Sequence, residues 1–259
     1  MDLEYIKQTN LDGVGWIQFN RPAKMNAVNS DVLRELETAI ILCEENERVR
    51  SVVLTGNEKA FVAGADIDHM AKASIGDAYR LTDLTMRVQE RLADLPKPTI
   101  AAISGYALGA GCEIALCCDF RIAAENAILG LPEITLGIIP GGGGTQRLTR
   151  LIKPSAAARM ILLGETVKSP EALSIGLVDK VVALGELENE ANSLSSKLAR
   201  MPGLAVRAAK TAMGRGLSTS LKEGLQIEQS LFCMLFGTRD QKEGMAAFIE
   251  KRKPVYKGE

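Results

Sequence analysis

The chain is short of aromatic rings, has a single histidine and carries no excess charge, and each shortage removes a class of function. Only 4% of its 259 residues are aromatic, one of them Trp, while 46% are hydrophobic. A sizeable core is possible, but it must be built from aliphatic and small side chains. The lone histidine, His69, excludes a zinc site with several imidazole ligands and leaves a Ser-His-Asp triad one base to use. No G-x-S-x-G turn accompanies it, so His69, within Asp66-Ile67-Asp68-His69-Met70, reads as a surface or loop-edge residue. Lys and Arg number 31 against 32 Asp and Glu, a formal charge of −1, so no broad field attracts nucleic acid or a membrane surface. No apolar run reaches about 18 residues, and the opening MDLEYIKQTNLDG lacks a basic stretch followed by an apolar one. The expectation is a cytoplasmic protein with neither a membrane nor a nucleic-acid partner. Five cysteines, odd in number and without C-x-x-C spacing, read as reduced core residues.

What is present alternates between two periods. Gly13 to Phe19 reads as a strand ended by Asn20-Arg21-Pro22. A helix follows, capped by Asn29 or Ser30, with Val32, Leu33, Leu36, Ala39, Ile40 and Cys43 at helical spacing. Ser51 to Gly56 and Thr99 to Ser104 read as buried strands separated by a polar helix from about Gly76 to Leu95. A helix over Gly111 to Cys118 and a strand over Phe120 to Ala123 repeat the unit. This predicts an α/β layered domain of largely parallel strands joined by helical crossovers. Beyond about Lys153 strand signals fade. Helical patterns cover Ser155–Leu163, Ser169–Ile175, Glu186–Arg200, Leu204–Gly214, Ser218–Phe236 and Asp240–Arg252. Met201-Pro202-Gly203 breaks that run, which divides the chain into 1–200 and a helical region 201–259.

Two glycine- and alanine-rich loops, 61–67 and 105–113, each follow a predicted strand. The second leads into a helix whose first N–H groups have no internal partner, so one amide from each loop could hold an oxygen gaining negative charge. Ordinary turns in which glycine supplies a positive φ explain the same residues. Gly109-Ala110-Gly111-Cys112-Glu113-Ile114 fails the dinucleotide fingerprint, and no Walker-type phosphate loop is present. Glu113 and Glu133 are each a lone charge in an apolar stretch, where desolvation raises a carboxyl pKa into the range useful for proton transfer. Glu113 also reads as a surface glutamate complementing a helix dipole. Glu133 also reads as half of a buried ion pair with Arg147 or Arg150. Pro140 to Arg147, with four glycines and no lysine, is a poor phosphate cradle; a turn presenting backbone to a ligand and capping a helix at Thr145 fits it as well.

At AFVAGADI (60–67), ISGYALGAGCEIAL (103–116), LPEITLGIIPGGGGTQRLTR (131–150) and FIEKRKPVY (248–256) the sequence strongly resembles the crotonase family, over nearly its whole length. The resemblance implies a spiral of ββα units followed by a C-terminal helical trimerisation region, with hexamers built from two trimers. It implies an enoyl-CoA hydratase that adds water across the C2=C3 bond of a trans-2-enoyl-CoA without a metal or organic cofactor. The N–H groups of Ala65 and Ala110 would form an oxyanion hole for the thioester carbonyl. Glu133 would protonate C2, Glu113 would activate the water that adds at C3, and Gly141 would help position that water. Substrate and coenzyme A contacts would run through Lys24, Ala63, Ala65, Asp66, Ile67, Asp68 and Leu108. Family members often carry lysine where this chain has Asp68, which leaves Lys24, Arg21 or the Lys251-Arg252-Lys253 cluster to meet the phosphates, unless that cluster is a solvated tail. The rival readings are an enoyl-CoA isomerase or another acyl-CoA enzyme of the same fold, and a non-catalytic RNA-binding or scaffold protein.

Overall fold

The computed structural model describes residues 3–259; Met1 and Asp2, the start of the N-terminal stretch read above, lie outside them. In chain order come β1 (Ile6–Leu11), β2 (Val14–Phe19), α1 (Ser30–Glu45), β3 (Ser51–Thr55), β4 (Ala60–Val62), α2 (Ile67–Met70) and α3 (Ile75–Ala93). Then follow β5 (Thr99–Ile103), β6 (Tyr106–Leu108), α4 (Ala110–Leu116), β7 (Phe120–Ala124), β8 (Ile128–Gly130), α5 (Gly144–Leu151), α6 (Pro154–Leu162) and β9 (Thr166–Lys168). The last elements are α7 (Ser169–Ser174), β10 (Lys180–Val182), α8 (Leu187–Ala199), α9 (Gly203–Gly216), α10 (Leu221–Leu235) and α11 (Arg239–Ile249).

From β3 to β8 the strands enter two sheets in alternation. The larger sheet has the order β1-β2-β3-β5-β7-β10 and the smaller β4-β6-β8-β9. Each turn of the chain therefore lays a long strand in one sheet, a short strand in the other, and then a helix or helical turn: β3-β4-α3, β5-β6-α4, β7-β8-α5. This is the spiral of ββα units. Apart from the antiparallel pairs β1·β2 and β8·β9, the strands of both sheets run parallel.

The core explains the composition. All five residues of β3 and of β5 are buried, because helices cover both faces of the sheet and no alternation is called for. On one face Val14, Val53, Ile100, Ala102, Ile122 and Ala124 meet Leu187 and Ala191 of α8. The other face forms the main aliphatic core, in which the six apolar positions expected for α1 are all buried. The helix starts where Asn29 accepts from the amides of Asp31 and Val32, so Asn29 rather than Ser30 is the cap. Phe19 and Phe61 form an edge-to-face pair with centroids 5.5 Å apart.

The helices of the C-terminal third fall within three residues of their expected ends. Several expectations need correction. β1 is a strand the sequence did not signal, and β9 and β10 lie beyond Lys153, where only helices were expected. Three-residue strands are too short to show a period. The first small-residue loop begins inside β4 and ends at the first residue of the one-turn α2, and the second spans the whole of β6 and the first turn of α4. Thr145 does not cap α5: the cap is Gly143, at φ 101°, with no side-chain bond. Cys43, Cys112, Cys117 and Cys118 are buried and free, whereas Cys233 on α10 is exposed. Among the described residues no helix is long and apolar enough to cross a membrane.

Candidate active site

The short sheet positions the site. β4, β6 and β8 run parallel and side by side, so the chain leaves all three at the same edge. From β4 it enters Ala63-Gly64-Ala65, from β6 Gly109 and α4, and from β8 Leu131-Pro132-Glu133. These exits wall a cavity of about 450 Å³ that is closed on its other side by Ala78, Leu81, Thr82 and Thr85 of α3.

Two backbone amides face this space. The Val28 N–H donates to the Gly64 carbonyl (2.9 Å) and the Asp66 N–H donates to the Val28 carbonyl (2.8 Å), forming a parallel bridge. In such a bridge the intervening residue turns its own N–H to the opposite side, and Ala65, which lines the cavity, donates to no acceptor among the described residues. Ala110 also lines the cavity and is the first residue of α4, so its N–H has no partner within the helix. Gly109 before it has φ 50°, and a Cβ there would stand 2.9 Å from Glu133 Oε1, so both conformation and space require glycine.

Glu113, on the wholly buried α4, is 3% exposed. Its Oε1 accepts from the amides of Gly142 and Gly144, each at 2.8 Å. Burial raises its pKa, while those two amides and the charge of Arg147 oppose the rise. The carboxyl group is thus buried and held by peptide dipoles, and is not a surface residue serving the helix dipole.

Glu133 stands in the first turn of a short 3-10 segment, Pro132–Leu136. Burial pushes its carboxyl up to about 7; its own backbone amide opposes the rise and the Glu113 charge adds to it. Its Oε2 is buried without a hydrogen-bond partner. The expected ion pair is absent: Arg147 donates to the Gly142 carbonyl (3.0 Å) and Arg150 to Gln146. The glycine run therefore presents its backbone to Glu113, with Arg147 pinning the turn.

Of the residues singled out in the sequence, Ala63, Ala65, Ile67, Leu108, Ala110, Glu113, Glu133 and Gly141 line this one cavity. Lys24, Asp66 and Asp68 do not. Asp66 is bound by Arg21 at 2.7 Å, which holds its carboxyl below its ordinary value. Lys24 pairs with Asp68 at 2.7 Å, both side chains well exposed, and that pairing raises the lysine's pKa. Arg252 of the C-terminal cluster is taken up by Glu243 and Glu250. His69 lies in α2 on a separate charged groove with Arg34 and Arg80. The sequence reading missed the amides of Gly142 and Gly144 and the buried Gln89, to which Arg147 donates. The lone glutamine on an otherwise apolar helix face was the available signal.

The model of the family described as enoyl-CoA hydratase/isomerase matches residues 9–259. The chain is 48% identical over 244 residues to a probable enoyl-CoA hydratase of Rhizobium meliloti, covering 94% of each chain. It is 46% identical over 241 residues to a short-chain-enoyl-CoA hydratase of Clostridium acetobutylicum, covering 93% of this chain and 92% of that one. A crystal structure of an enoyl-CoA hydratase from Bacillus anthracis superposes with a TM-score of 0.95 at 42% identity, over 99% of this chain and 100% of that one. Cavity, glutamates and fold thus meet in one assignment: the chain belongs to the enoyl-CoA hydratase/isomerase family.

Proposed function

We propose that this protein is an enoyl-CoA hydratase that adds water reversibly to a trans-2-enoyl-CoA to give a 3-hydroxyacyl-CoA. One observation carries the reading: two buried carboxyl groups, Glu113 held by two backbone amides and Glu133 with an unpartnered oxygen, line one cavity beside the amides of Ala65 and Ala110. The thioester carbonyl sits between the N–H groups of Ala65 and Ala110, which draw electron density onto its oxygen and make C3 electrophilic. Glu113, ionised through the Gly142 and Gly144 amides, takes a proton from water as the water oxygen bonds to C3. The electron pair at C2, shared with the carbonyl oxygen, collects a proton from Glu133, whose pKa of about 7 keeps much of it protonated at neutral pH. Hydration thus moves the pair's one proton from Glu133 to Glu113, and its return resets the site. Gly141, which lines the same cavity, orients the water in this scheme. No metal or organic cofactor takes part in this scheme, and coenzyme A enters as part of the substrate.

The carrier runs along Lys24, Ala63 and Asp66 to Asp68, with Leu108 beside the thioester. An exposed ion pair such as Lys24–Asp68 is worth about 0–1 kcal/mol, so a phosphate can compete for the ammonium. Self-association as a trimer or hexamer is supported by α9 and α10, which bury no residue within one chain yet expose Met213, Leu221, Leu225 and Phe232, with Leu217 exposed between them. We place the protein in the cytoplasm, with neither nucleic acid nor membrane as a partner. Loss of the conjugated thioester absorbance of crotonyl-CoA tests the reading. Isomerisation of a 3-enoyl-CoA without crotonyl-CoA turnover would assign the isomerase reaction instead.

A further inference from the structure

Behind Glu113 lies a polar group that the scheme above does not use. Gln89 of α3 is 0% exposed and stands one helical turn beyond Thr85, on the face of α3 that closes the cavity. Its Oε1 accepts from Arg147 Nη1 (3.4 Å) and from the Cys117 thiol (3.7 Å). That fixes the amide: turning it over would set an NH2 against a guanidinium. Its Nε2 therefore faces the other way, buried and without a partner. Both this Nε2 and Glu113 Oε2 lie 2.6 Å from the point where a Cβ of Gly142 would stand. An unpartnered donor and the carboxylate oxygen that the glycine amides leave free thus border one small space, which exists because residue 142 has no side chain. The last torsion of each side chain is soft, so a modest rotation closes the gap.

We propose that Gln89 is a positioning residue for Glu113: anchored through Oε1 by Arg147, its carboxamide donates from Nε2 to Glu113 Oε2, holding the carboxylate in place and ionised. The inference rests on the hydratase reading, in which Glu113 is the base. Arg147 thus supports Glu113 twice, by pinning the Gly142 carbonyl and by orienting Gln89. The charged groups around Glu113 are Arg147 from α5 and Glu133 from the 3-10 turn. Cys112 and Cys117 on its own helix stay neutral, since burial pushes both thiols up to about 12.

The test is the pH profile of kcat/KM for crotonyl-CoA hydration in the whole enzyme and in Gln89→Met, which keeps the length and removes the donor. Without the donor the ionised form of Glu113 is less favoured, so the acidic limb moves up by about one unit. kcat below that limb falls on the order of ten-fold, and KM changes little. Gln89→Glu, with a second carboxylate facing Glu113, moves the limb further in the same direction. A folded, active variant whose acidic limb coincides with that of the parent overturns the proposal. A parent enzyme that does not hydrate crotonyl-CoA overturns the hydratase reading instead. If neither variant folds, the side-chain amide proton resonance of Gln89 in the parent decides: it must follow the Glu113 titration, and a flat response overturns the proposal.

Discussion

Hydration and dehydration should share one basic pH limb, set by the carboxyl of Glu133. Its pKa of about 7 against an ordinary 4.5 leaves about half of it protonated at pH 7, where an ordinary glutamate would hold a proton in roughly three molecules per thousand. In hydration Glu133 must arrive protonated, so kcat/KM for crotonyl-CoA falls above pH 7, about ten-fold per unit. Dehydration starts from the same pair holding the same single proton, now on Glu113, so kcat/KM for 3-hydroxybutyryl-CoA falls above pH 7 in the same way, as a reaction that consumes no proton requires. Glu133→Gln lowers kcat on the order of 10² to 10⁴ and removes that limb in both directions. Stability gives an independent check. A folded pKa raised above the unfolded one contributes stability that is full below about 4.5 and is lost as the pH rises to about 7. The neutral Glu133→Gln variant should therefore melt higher than the parent at pH 8 and no differently at pH 4. A basic limb near pH 7 missing from both directions, or an unchanged melting temperature at pH 8, would refute the assignment of Glu133 as a desolvated acid.

Glu113→Gln keeps a carbonyl for the Gly142 and Gly144 amides, so circular dichroism and Tm should change little while crotonyl-CoA turnover falls on the order of 10² to 10⁴. Asp68→Lys frees Lys24 and adds a cation, so KM for crotonyl-CoA should fall several-fold with kcat held, an effect that fades at high salt. Gly111→Ala sets a Cβ against the Val62 carbonyl across the junction of α4 and β4; a loss of about 3 kcal/mol or more in denaturant unfolding is expected. Leu225→Glu places a charge on the exposed face of α10, and sedimentation should show dissociation to smaller species.

What the sequence made legible was whatever repeats over many residues or stands alone in kind. The six buried positions of α1 and the continuous apolar runs of β3 and β5 satisfy a period or exhaust it, so they can be read directly. Glu113 and Glu133 were visible because each is the sole charge in an apolar stretch. β4, β6 and β8 were not visible: each is three residues long, and each is a strand only because a neighbour at the same level completes the ladder. The partners of Glu113 were hidden for a related reason. They are amides 29 and 31 residues away, and an amide has no residue identity to read.

That last point bears on how the site holds its charges. A guanidinium placed directly on each carboxylate would have been the simplest device for ionising both, and it would have left neither able to donate a proton near neutral pH. The chain instead places Arg147 one step back, bound to the Gly142 carbonyl and the Gln89 amide, and lets peptide dipoles meet Glu113. Glu133, with no cation and an unpartnered oxygen, is left to burial. Burial thus raises both carboxyls, the Gly142 and Gly144 amides and the Arg147 charge oppose that rise at Glu113, and the glycines at 109, 142 and 144 keep the backbone within reach of both.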